Sequence, residues 1–118
     1  MSAMIHDAAD HSRGVQFSNG HFERLLLRGV LMPAGVFAAN VQYFYFSGGN
    51  ERAKSWEQIR GTEAEARGCA MAMRAFAGAV RLAGENQRPW VDRLDRELAD
   101  QADDLVELLA TCRGFEVS

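Results

Sequence analysis

The chain has 118 residues with 13 basic and 16 acidic side chains and a formal charge of −3. That length suits one domain, and the charge balance offers no uniform positive field to hold a phosphate backbone. At 47% hydrophobic and 25% charged residues, the composition is that of a folded globule with a core to bury. No apolar run reaches the ~20 residues of a spanning helix, and the opening MSAMIHDAADHSRG lacks the basic start and apolar middle of a secretory leader. The expectation is therefore a cytoplasmic protein with no membrane partner. All the basic residues but Lys54 are arginine, a skew of the kind GC-rich bacterial coding produces.

Residues 1–15 keep neither the helical nor the strand period, which predicts a flexible N-terminal arm ahead of a single helical domain over 16–118. Ser18 and Asn19 then offer caps, and Phe22, Leu25, Leu26, Gly29 and Val30 follow at spacings of three and four. This predicts a first helix over about 19–31. Pro33 has no amide hydrogen and disfavours helical geometry at Met32, so the pattern stops there and restarts with Pro33 in a new first turn. Residues 34–46 combine a helical spacing, at Phe37, Val41 and Phe44, with the β-prone character of Val41 to Phe46. A strand would need a partner edge, and no second β-rich run is evident, so helix is favoured. Ser47-Gly48-Gly49-Asn50 is a break.

Two capping boxes follow, Ser55-Trp56-Glu57-Gln58 and Thr62-Glu63-Ala64-Glu65. Ile59, Thr62, Ala66, Cys69, Met73, Phe76, Val80 and Ala83 alternate steps of three and four, which predicts one long helix over about 55–83, closed by Gly84. Its opposite side carries Gly61, Ala64, Gly68, Ala72, Ala75, Gly78 and Ala79, small residues that let another backbone come close. Interior glycines cost about 1 kcal/mol each relative to alanine, so packing on that second side is expected to offset them. A last helix is predicted over about 87–113, with Asn86 as cap, Pro89 in its first turn and Gly114 at its end. Its seam is Val91, Leu94, Leu98, Gln101, Leu105, Leu108 and Cys112, in which Gln101 interrupts the apolar pattern and requires a hydrogen-bond partner if buried.

Chemistry-bearing residues are few. His6, Asp7, Asp10 and His11 are the one dense group of potential metal ligands, but a loose arm holds such ligands poorly, and neither a metal nor another cofactor is expected. His21 reads as a solvated or capping histidine. No G-x-S-x-G elbow, phosphate-binding glycine loop or C-x-x-C pair is present, and no catalytic residue is assigned. Arg60, Arg67, Arg74 and Arg81 recur every seven residues and test as a nucleic-acid stripe. Interspersed acids and the net negative charge disfavour that partner, and pairing with Asp92, Asp95, Asp103 or Asp104 of a neighbouring helix is the expectation. Cys69 and Cys112 fall at core positions and read as buried thiols.

Tyr43-Phe44-Tyr45-Phe46 would span roughly 300° of a helix, more than a small domain can bury. With Phe37 and Trp56 these side chains form the predicted partner-binding surface, since tyrosine and tryptophan supply contact area at modest entropic cost. The expected architecture is all-α, a three- to four-helix bundle on two long antiparallel helices, completed by homodimerisation. The expected function is a non-catalytic regulator of bacterial type that masks another protein, such as a transcriptional regulator. The alternative is a small-molecule-binding or enzymatic subunit with Met71, Met73, Phe76 and Phe44 as the walls of an apolar pocket.

Overall fold

Residues Ser2–Asp7 form a strand where an arm was expected, with Ala3 and Ile5 buried and Ser2 exposed. The computed structural model of the protein describes residues 2–36, 59–85 and 91–118. Strand β1, Ser2–Asp7, pairs antiparallel with β2, Gly14–Ser18, in a register that sets Ala3 opposite Phe17 and Ile5 opposite Val15. On its other side β1 meets a C-terminal strand, β4, Phe115–Val117, which in turn pairs with β3, Arg60–Gly61. The sheet is antiparallel throughout, in the order β2-β1-β4-β3.

One face of this sheet carries Ala3, Ile5, Phe17, Phe115 and Val117, all buried in a single core with the helices. A Cβ at Gly61 would run into the Phe115 ring, so β3 approaches β4 this closely only because residue 61 has no side chain. Helix α1, Asn19–Leu27, begins directly after β2, with the Ser18 hydroxyl accepting from the His21 amide as its N-cap. It buries Phe22, Leu25 and Leu26, and a 3-10 turn follows at Met32–Ala34 with Pro33 in its first turn.

Helix α2, Glu63–Glu85, is the longest element. It opens at the second of the two capping boxes: the Thr62 hydroxyl accepts from the Glu65 amide at 3.2 Å, and the Glu65 carboxylate accepts from the Thr62 amide at 2.9 Å. Ala66, Cys69, Met73, Phe76, Val80 and Ala83 line its buried face. Two shorter helices, α3 at Arg93–Asp100 and α4 at Ala102–Thr111, replace the single last helix expected. They meet at Gln101, whose backbone (φ −90, ψ 0) leaves helical geometry and whose side-chain amide donates to the Gln16 carbonyl of β2 at 3.4 Å.

The protein is thus α+β, with helices against one face of a four-stranded sheet, and the all-α helical bundle is corrected. The four strands are two to six residues long, too short to show a sustained period, and are spread from residues 2–18 through residues 60–61 to residues 115–117. No helix among the described residues is long and apolar enough to cross a membrane.

Candidate functional site

Much of the charge is committed to holding the helices together. Asp95, fully buried at the start of α3, accepts from Arg28 Nε at 2.9 Å and Arg28 Nη2 at 2.7 Å, with Arg24 Nη1 3.3 Å away. Arg24 also reaches the Asp92 carboxylate at 2.6 Å. Asp92 is the α3 N-cap, and it and Asp95 form a reciprocal capping box. Hydrogen bonding from Arg24, reinforced by the Asp95 amide, holds the Asp92 carboxyl down at about 2. Alongside, His21 bridges Ser18 Oγ (2.5 Å from Nδ1) and Glu97 Oε2 (2.6 Å from Nε2). This fixes α1 to α3 with a half-buried histidine.

The arginines of the long helix have a related role. Arg67 donates to the Leu109 carbonyl at 2.8 Å, and Arg81 reaches the Ala99 carbonyl at 3.5 Å. Both carbonyls lie in the last turn of α4 or α3, where a cation meets the negative end of the helix dipole. Arg60 lies on β3 rather than on the helix. The seven-residue stripe is therefore divided between sheet and helix, and of the acids expected to pair with it Asp92 and Asp95 are held by α1 instead.

The outward side of α2 is different in character. Met71 is 69% exposed and Leu82 62% exposed, with the small residues Ala75 and Gly78 exposed between them. At 100° per residue these four fall within one narrow stripe, directly opposite the buried seam. One turn earlier, Gly68 takes Pro33 so closely that a Cβ there would sit 2.8 Å from the Pro33 Cβ. That contact brings the turn holding the exposed Met32 alongside this end of the stripe.

The six residues expected to bind a partner, Phe37, Tyr43, Phe44, Tyr45, Phe46 and Trp56, lie outside the described residues. Of the alternative pocket's walls, Met73 and Phe76 are core while Met71 faces solvent, and Phe44 is again outside the described residues. Among the described residues, Met71 therefore does not share a cavity with Met73 and Phe76. Cys69 and Cys112 are both buried and reduced, and burial pushes the Cys69 thiol up to about 11.

The N-terminal histidines come together, in company the sequence did not suggest. His6 stands directly opposite Glu116 on β4, on the sheet face away from the helices, and its ring meets that of His11 edge-on at 4.5 Å between centroids. His11 Nε2 lies 3.7 Å from Glu116 Oε2. Asp7 and Asp10, the other members of the sequence cluster, build the turn instead. Asp7 Oδ1 accepts from the Ala9 and Arg113 amides, and Asp10 Oδ1 from the Ser12 amide and hydroxyl. No protein-family model, curated protein or solved structure matches the chain.

Proposed function

We propose that the protein is a non-catalytic, protein-binding module of the regulator type that works as a homodimer, with the outward stripe of α2 as the seam between copies. The observation that carries this reading is the spacing of that stripe. Two copies of one helix related by a two-fold axis pair each residue with its mirror position about a midpoint. Met71 and Leu82 are mirror positions about a point between Phe76 and Ala77, and so are Ala75 and Gly78. Antiparallel copies would therefore set Met71 against Leu82 at both ends, about 16 Å apart along the axis, with the small pair meeting in the middle. Large side chains at the ends and small ones at the centre suit close helix packing. The aromatic residues Phe37, Tyr43, Phe44, Tyr45, Phe46 and Trp56 supply, on sequence grounds alone, the surface for the protein to be masked.

Sedimentation equilibrium tests the seam. Wild type at tens of micromolar should sediment with the mass of two chains. Gly78→Arg should sediment as one chain with an unchanged circular-dichroism spectrum, because a Cβ at residue 78 meets nothing within 4 Å in the single chain. A wild type that stays monomeric, or a Gly78→Arg variant that stays dimeric, would overturn the assignment.

A further inference from the structure

We infer that His6, His11 and Glu116 form a binding site for a divalent transition-metal ion of the zinc type. One ligating atom from each residue lies within 4.8 Å of the other two. A tetrahedral zinc ion with bonds of ~2.1 Å sets its ligand atoms ~3.4 Å apart, so the His11–Glu116 pair at 3.7 Å is already close to bonding geometry. The remaining gap closes by side-chain rotation, since His11 is exposed and Glu116 half-exposed, while His6 is buried and fixed in the sheet. Two imidazoles and one carboxylate are a donor set that zinc accepts, and the solvent side leaves a fourth position for water.

The backbone around the three residues is already organised. Strand pairing places His6 against Glu116. The turn bearing His11 is closed by Asp10 N to Asp7 O, Arg13 N to Asp10 O and Asp7 N to Arg13 O, and is tied to the start of β4 by Ala8 N to Gly114 O at 3.0 Å. His6 Nδ1 faces the Asp7 carbonyl at 3.4 Å, and donation there fixes the tautomer that leaves Nε2 to coordinate. The ion would then bridge three segments, β1, the turn and β4.

The test uses the full chain, free of any histidine tag and stripped with a chelator, titrated with Zn2+ in a calorimeter and with Co2+ in a spectrophotometer. Expected are one ion per chain, the visible bands of four-coordinate Co2+, and a thermal midpoint that rises with Zn2+. His11→Asn and Glu116→Gln alter an exposed and a half-exposed side chain and should keep the fold, yet weaken binding by more than ~100-fold, beyond the loss caused by removing an outer-shell partner. His21→Asn should bind as wild type does. Failure of wild type to bind Zn2+ at tens of micromolar, or undiminished binding by His11→Asn or Glu116→Gln, would overturn the site. Gly78→Arg should retain full Zn2+ affinity, which separates this outcome from that of the α2 seam.

Discussion

Replacing Asp95 with asparagine keeps the shape of the side chain and removes its charge. The carboxylate is fully buried and receives two bonds from Arg28, with Arg24 close by and the Asp92 amide donating to it at 3.3 Å. An asparagine has one acceptor oxygen, and its amino group would face guanidinium donors. Removing one partner of a buried ion pair costs about 3–5 kcal/mol. Here the Arg28 and Arg24 side chains are 32% and 21% exposed, so water recovers part of their solvation, and a loss of about 2–4 kcal/mol is expected. At this length 1 kcal/mol moves the melting temperature by roughly 4 °C, which predicts a fall of roughly 8–16 °C. Urea unfolding followed by circular dichroism should show a lower midpoint with an unchanged slope. In an Arg28→Gln background the same substitution should cost at least ~1 kcal/mol less. A loss below ~0.5 kcal/mol in wild type, or full additivity with Arg28→Gln, would refute the view that this contact holds α1 to α3.

Two glycines should respond in opposite directions to alanine. At Gly78 the new Cβ meets nothing, so the helix gains about 0.5–1 kcal/mol, read by urea unfolding of dilute protein. At Gly61 it meets the Phe115 ring, and a loss of about 1–3 kcal/mol is expected in the same assay. Asp92 has its carboxyl lowered from 3.8 to about 2 in the fold, so its contribution is complete above pH 3.8 and disappears as pH falls through about 2. Arg24→Gln should flatten that part of the acid-unfolding curve. With its thiol raised to about 11 and buried, Cys69 should resist iodoacetamide at neutral pH, as should the buried Cys112, and both should alkylate once urea unfolds the chain.

The buried seam of α2 was legible because it repeats over about five turns, long enough for periodicity to outweigh local ambiguity. Its start was not, since Ser55 and Thr62 head identical motifs. Strand β3 decides the matter by taking Arg60 and Gly61 into the sheet. Gln101 is visible as a fault in an apolar stripe, but the fault alone does not show that the helix ends and restarts there. The sheet escaped notice because Phe115–Val117 is three residues and its meaning depends on a partner at the other end of the chain. The same separation hid the third ligand: His6 and His11 stand together in sequence, but only strand pairing brings Glu116 to them. The outward α2 stripe was legible as small residues needing cover, while the exposure of Met71 and Leu82 depends on which side faces the core.

The adjacency of β1 and β4 has a kinetic consequence for synthesis. Met4 exchanges both backbone hydrogen bonds with Ser118, so the second edge of β1 stays open until residues 115–118 have been synthesised. Until then the nascent hairpin of β1 and β2 carries an open edge of hydrogen-bonding groups, the condition under which growing chains pair with the wrong neighbour. Closure over so long a loop also makes sheet completion a late and slow event.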